Sequence, residues 1–253
     1  MHILLSNDDG IFARGIHTLC EVLRAGGHRL SVCAPDRERS AASHSATLGK
    51  PLHAEPVRFE GAERAWAADG TPADCASLGL WLTRDDPVDL VIAGINRGMN
   101  QGGATIYSGT VGAAMEASMC GFQAMAVSLC TTKKDDENDY TAAARLAMRV
   151  AEWMPGHPLP RGAIYNLNVP AIPYDAIRGL VPATLSQVFL DAPMYAQTRD
   201  AGGVSYYYHG VPSALDEAGS DFPLTERGFA TITKLTWNWR LNADDAELAE
   251  IGL

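Results

Sequence analysis

Short apolar runs alternate with helically spaced apolar positions along the first two thirds of the chain. Ile3-Leu4-Leu5 reads as a buried strand that ends in the polar run Ser6-Asn7-Asp8-Asp9-Gly10. Ile16, Leu19, Cys20 and Leu23 then recur on one face of a helix, which Gly26-Gly27 stops. Leu30 to Ala34 predicts a second strand closed by Pro35, followed by a Ser- and Arg-rich loop over Asp36 to Thr47. Residues 73–82 read as a helix with Cys75, Leu78 and Leu82 on one face, Thr71 as N-cap and Pro72 at the first helical position. Val88 to Ala93 is nearly continuous in apolar residues, the pattern of a strand covered on both faces. Gly109 to Cys120 predicts a small-residue helix closed by Gly121, and Ala124 to Leu129 a further strand. After a charged loop over Thr131 to Asn138, Tyr140 to Trp153 is amphipathic, with Ala144, Ala147, Met148 and Ala151 facing inward. Ile164 to Val169 is a strand stopped by Pro170. Alternation of this kind predicts an α/β fold with a doubly wound, mostly parallel sheet.

The pattern changes after about residue 185. Val204 to Tyr208 and Phe229 to Leu235 alternate as half-buried strands do, between segments rich in Gly, Pro and Asp. The expected organisation is therefore a catalytic core over 1–185 and an extension over 186–253. That extension is read as an antiparallel hairpin with a short helix from Asp244, serving as an oligomerisation arm.

Composition narrows the function classes. The chain has 253 residues, 47% of them hydrophobic, enough for one sizeable core. Its formal net charge of −10 argues against nucleic-acid polymers and acidic membrane surfaces as partners, since both need a basic footprint. Cys20, Cys33, Cys75, Cys120 and Cys130 form no Cys-x-x-Cys pair and mostly sit in apolar runs, as thiols of a reducing compartment do. With no basic-then-apolar leader and no apolar run long enough to span a bilayer, a cytoplasmic location is expected.

Candidate chemistry gathers at predicted strand ends. Asp8 and Asp9 end the first strand; Asp36-Arg37-Glu38-Arg39-Ser40 follows the second; Asn96-Arg97-Gly98-Met99-Asn100 follows the Val88–Ala93 strand. Parallel strands place their C-terminal ends on one edge, so these clusters can share a crevice. Adjacent buried carboxylates repel unless a positive charge compensates, and a divalent cation is the usual one. A solvated acidic turn closed by Gly10 is the plain alternative. Asp8, Asp9, Ser40 and Asn96 together would offer only oxygen ligands, which suits Mg²⁺, Mn²⁺ or Ca²⁺ better than Zn²⁺. The histidines fit no zinc pattern, and His44, His53 and His209 read as isolated loop or surface residues. Tyr107-Ser108-Gly109-Thr110 enters a helix and could cradle a phosphate on free backbone N–H groups, although a Ser before a helix is more often simply a cap. Arg37 and Arg39 could neutralise a phosphate, or could be solvated loop cations.

These stretches resemble those of the survival protein E (SurE) family of metal-dependent nucleoside-monophosphate phosphatases. The resemblance rests on Ile3 to Gly10, Ala34 to Ser40, Gly70 to Cys75, Gly94 to Asn100, Tyr107 to Glu116 and Asn166 to Pro170, in the family's order. It implies a Rossmann-like, three-layer core and a C-terminal hairpin exchanged between subunits of a homodimer or homotetramer. It implies one divalent cation, Mg²⁺ or Mn²⁺, at Asp8, Asp9, Ser40 and Asn96, and hydrolysis of 5′- or 3′-nucleotides, with short polyphosphate cleaved by some members. On this reading Asp8, Asp9 and Asn96 are catalytic, while Asn96, Asn100, Ser108, Gly109, Thr110 and Arg39 bind substrate or phosphate. Glu38, Ala41, His44, Arg97, Met99 and Lys234 depart from residues common in the family, and Glu38 and Arg97 are expected to bear on substrate choice. A nucleotide- and metal-binding module without turnover is the alternative function.

Overall fold

In the computed structural model the chain is described over residues 1–190, 195–200, 202–208, 212–214 and 218–237. The elements run β1 (His2–Ser6), α1 (Arg14–Ala25), β2 (Arg29–Pro35), β3 (Ala54–Pro56), β4 (Arg64–Ala68), α2 (Pro72–Leu82), β5 (Leu90–Arg97), α3 (Gly109–Met119) and β6 (Gln123–Cys130). They continue with α4 (Thr141–Trp153), β7 (Ala163–Pro170), β8 (Leu180–Pro182), β9 (Val188–Leu190), β10 (Tyr195–Asp200), β11 (Gly203–Tyr208), β12 (Pro212–Ala214), α5 (Asp221–Glu226) and β13 (Ala230–Thr236).

Nine strands form one sheet in the order β3-β4-β2-β1-β5-β6-β7-β13-β8. From β4 through β7 neighbours are parallel, as the apolar alternation predicts. The chain leaves β1 towards β2 on one side and later returns to β5 on the other. The strand order therefore reverses between β1 and β5, and the crevice outside the carboxyl ends at that point is where open α/β sheets hold ligands.

The pleat sorts side chains into two cores. Ile3, Leu5, Leu30, Val32, Ile92, Met125 and Val127 pack with α1 and α4 residues such as Leu19, Leu23 and Ala147. Leu4, Cys33, Val91, Ala93, Ala124 and Ala126 pack with α2 and α3 residues such as Cys75, Ala76, Ala113 and Ala117. Small residues on both partners let α3 lie close to the sheet, and its first turn is thereby brought down onto the end of β1. The α2 start is as the sequence implies: Thr71 caps the helix in a capping box with Asp74, and Pro72 opens it.

Three differences from the sequence reading matter. Strands β3 and β4 are short segments, Ala54–Pro56 and the alanine-rich Arg64–Ala68, whose apolar signal is too weak to announce them. Strand β5 runs past the apolar stretch to Arg97, with a register shift between Ala93 and Asn96. In the third, Ala230–Thr236, read as part of the extension, lies inside the large sheet as the antiparallel partner of β7. Its alternation is that of a strand with one face packed, which pattern alone cannot assign to a hairpin or to the core. The antiparallel hairpin itself is present, as β10 paired with β11 from Tyr195↔Tyr208 to Asp200↔Gly203. The helix expected from Asp244, and His209, lie outside the described residues. Among the described residues no helix is long and apolar enough to cross a membrane.

Candidate active site

The turn after β1 is built by Asn7, whose Nδ2 donates to the Gly10 carbonyl (2.8 Å) while its Oδ1 accepts from the Gly10 N–H (3.2 Å). This fold-back fixes Asp8 and Asp9 at the switch point. Asp8 is 4% exposed, and Thr110 orients both its oxygens: the hydroxyl donates to Oδ1 and the backbone N–H to Oδ2 (3.2 Å). Gly109 makes this approach achievable, since a Cβ there would lie 2.9 Å from Asp8 Cβ and 2.9 Å from Pro72 Cγ. Asp9 Oδ2 accepts from the Arg97 N–H (2.9 Å), and the Asp8 carbonyl accepts from the Arg39 N–H (2.7 Å). The residues on either side of the aspartates are thus carried by the loop after β2 and by the last residues of β5. Ser40 follows Arg39, and Asn96 precedes Arg97.

Burial dominates the electrostatics. It holds the Asp8 carboxyl above the usual range, against the lowering effect of the Thr110 hydrogen bonds. Burial and then the Asp8 charge push Asp9 up to about 7, with the Arg97 hydrogen bond pulling the other way. Glu38 adds a third negative charge that acts on both aspartates. Among the described residues no Lys, Arg or His side chain lies within ion-pair distance of Asp8 or Asp9. A buried Asp8 beside a half-buried Asp9, with no ion-paired side chain on either and only the more distant Arg97 charge acting on Asp9, is a condition that a bound cation relieves. The remaining donors match: Asn96 spends its Nδ2 on the Gly98 carbonyl (2.8 Å), leaving Oδ1 as its acceptor, and Ser40 contributes a hydroxyl that currently donates to Glu38 Oε1 (2.7 Å). Among the described residues no group of three or more His, Cys, Asp or Glu is arranged to hold an ion. Asp8, Asp9, Ser40 and Asn96 would together make a donor set of two carboxylates and two neutral oxygens.

The other residues singled out from sequence have hydrogen-bond partners within the fold. Ser108 is the N-cap of α3, its Oγ accepting from the Val111 N–H (3.0 Å). Thr110 is turned onto Asp8 and acts through it. Asn100 is 5% exposed, with Nδ2 on Ser128 Oγ (2.8 Å), its N–H on Asn168 Oδ1 (2.9 Å), and its carbonyl accepting from Asn166 and Asn168 (both 2.9 Å). It anchors the loop after β5. The Arg39 guanidinium is directed to the Asp69 carbonyl (2.7 Å) and Asp36 (3.4 Å). His44 pairs with Glu116 (2.8 Å) and His53 with Glu55 (3.1 Å), so both are outside the cluster.

Sequence reasoning missed two anchors. Asn166 and Asn168 fall in a stretch that carries the family resemblance, but their joint role with Ser128 is signalled only by polar residues at i and i+2 in a buried strand, which the pleat puts on one face. Asp221, fully buried, accepts from the Gly102 N–H (3.2 Å), the Ser186 N–H (2.9 Å) and hydroxyl (2.7 Å), and the Phe222 N–H (2.9 Å). It ties the loop after Asn100 to the C-terminal segment, and no local pattern announces so distant a contact.

Fold and site together define a doubly wound α/β protein with an acidic pair, buried Asp8 and half-buried Asp9, at its switch point. The chain belongs to the SurE family, whose model, described as survival protein SurE, matches residues 3–191. It is 41% identical over 241 residues to the protein named 5′-nucleotidase SurE of Synechococcus sp. (strain JA-3-3Ab), covering 93% of this chain and 91% of that one. It is 42% identical over 242 residues to the protein of that name from Aeromonas hydrophila subsp. hydrophila, covering 93% and 92%. The crystal structure of the SurE protein from Aquifex aeolicus superposes with a TM-score of 0.78 at 28% identity, over 99% of this chain and 98% of that one.

Proposed function

We propose that the protein is a cation-dependent phosphohydrolase that removes phosphate from 5′-nucleoside monophosphates. The observation that carries the reading is the Asp8–Asp9 pair at the switch point, Asp8 buried and Asp9 half-buried, with no Lys, Arg or His side chain in ion-pair contact with either among the described residues. The name shared by the relatives supplies the substrate class. Asp8, Asp9, Ser40 and Asn96 would hold one divalent cation, and an all-oxygen set favours Mg²⁺ or Mn²⁺. Such a cation, when bound, supplies Lewis-acid charge to a phosphoryl oxygen and a more acidic attacking water.

The chain's own groups supply the rest. Asp8, its two oxygens oriented by Thr110, directs the water and takes its proton. Asn96, the Ser108 hydroxyl and the backbone at Gly109 receive phosphoryl oxygens at the positive end of α3 as charge develops. Asn100 and Arg39 contribute by shaping the loops. The exposed Tyr195, Tyr206 and Tyr207 on β10 and β11 support the reading of that hairpin as the arm of a homodimer or homotetramer.

The test is inorganic phosphate release from 5′- and 3′-nucleoside monophosphates and short polyphosphate, beside Asp9→Ala. Release from 5′-nucleotides that Asp9→Ala abolishes supports the assignment. Nucleotide binding without release from any substrate makes the protein a binding module instead.

A further inference from the structure

The cationic side chains at the crevice differ in what holds them. Arg39 is committed to the Asp69 carbonyl and Arg37 to Asp36 (3.2 Å), both outside the acidic pair. Arg97 is placed otherwise. Its backbone N–H binds Asp9, it follows Asn96 directly, and its guanidinium reaches across from the end of β5 to Glu38 on the loop after β2 (3.2 Å). The two side chains are 31% and 52% exposed, and an ion pair so open to water is worth little and is readily exchanged. The partner is itself shared, because the same Glu38 Oε1 also accepts from Ser40 (2.7 Å).

Charge balance gives this pair a role. Asp8, Asp9 and Glu38 make the crevice negative, so an incoming phosphate dianion is repelled by the groups that attract the cation. Glu38 lies close enough to act on both aspartates, and Arg97 on Asp9. A guanidinium at this rim suits phosphate, whose oxygens accept two parallel hydrogen bonds from its planar fork.

We propose that Arg97 is a phosphate-binding residue of this site, held by Glu38 until the nucleotide arrives and then exchanging that carboxylate for phosphoryl oxygens. The inference rests on the phosphohydrolase reading for its substrate, but not for its test. Glu38 acts as the competing ligand and sets how much phosphate must offer to displace it.

Three variants, Arg97→Gln, Arg97→Lys and Glu38→Gln, are compared with the parent for nucleotide kinetics, for Mn²⁺ affinity by titration calorimetry, and for inorganic phosphate binding in saturating Mn²⁺ by equilibrium dialysis. Arg97→Gln is expected to raise KM about tenfold with kcat within about twofold, and to weaken phosphate binding by a similar factor. Arg97→Lys should recover part of the loss. Glu38→Gln, which keeps an acceptor for Ser40 but removes the charge, should lower KM. These opposite directions separate a binding role from a structural one, in which both changes would impair the site alike. Unchanged KM and phosphate affinity in Arg97→Gln, or an equal loss of Mn²⁺ affinity, overturns the proposal. If the parent releases no phosphate from any nucleotide yet phosphate binding depends on Arg97, the phosphohydrolase reading fails and the Arg97 assignment stands.

Discussion

At the residue scale, the site is a balance between burial and compensation. Folded Asp9 keeps its proton up to about pH 7, whereas an unfolded aspartate releases it near 4. The folded state therefore binds more protons across that window. Asp9's contribution to stability is full at low pH and is lost as pH rises through about 7. The prediction is a melting temperature of chelated protein that falls between pH 5 and 7.5, a shallower fall in Asp9→Asn, and recovery at pH 7.5 on adding Mn²⁺. A steeper fall in Asp9→Asn would contradict it. Thr110→Val removes the hydroxyl donor from buried Asp8, a charge-assisted bond worth roughly 1.5–3 kcal/mol. Urea unfolding should show that loss, and phosphate release should drop more than tenfold because Asp8 is no longer fixed. Of the proposed ligands, Asp8 and Asp9 are announced locally, since a double aspartate ends an apolar run, whereas Ser40 and Asn96 stand out only as polar residues beyond two further strands. The orientation of Thr110 is not announced. A hydroxyl at a helix start can point to phosphate, to its own backbone or to a neighbour, and only the approach of α3 to β1 decides.

At the element scale, what positions the site is the way strands and helices approach one another. Gly94 sits in β5 with φ of +144°, and a Cβ there would lie 2.4 Å from the Val127 carbonyl. Gly94→Ala should therefore cost more than about 2 kcal/mol, through both the clash and the backbone conformation. It should also lower metal-dependent activity by displacing Asn96, two residues on. Denaturant unfolding with an activity assay on the folded fraction checks both. The strands β1, β2, β5, β6 and β7 are readable as short continuous apolar runs and α1 and α4 as amphipathic periods, whereas α2 and α3, apolar or small nearly all round, are readable from their length and from the residues that start and stop them. The strand β4 is not: Arg64-Ala65-Trp66-Ala67-Ala68 owes its place to pairing with β2, a tertiary effect.

At the scale of the whole molecule, the sheet's far edge and the candidate crevice are one structure. The segment through α5 and β13 closes against β7, and Asp221 reaches back to hold Gly102 and so the loop that runs on to Ser108. Asp221→Ala would leave several buried donors unpaired, at a cost of roughly 3 kcal/mol or more. The account expects faster proteolysis within residues 100–108 and reduced turnover, although Asp221 is not a residue of the acidic cluster. Unaltered proteolysis and turnover would show that the C-terminal segment is independent of the site. This coupling was illegible in sequence because its partners are separated by 119 positions.

The central claim is that Asp8, Asp9, Ser40 and Asn96 form one cation site that is required for chemistry. It is tested most directly by titrating Mn²⁺ into chelated protein and recording phosphate release from a 5′-nucleoside monophosphate in the same samples, beside Asp8→Asn. One site per chain, release that rises with its occupancy, and loss of both in Asp8→Asn are expected. Full release from chelated protein, or undiminished binding and release in Asp8→Asn, would contradict the claim.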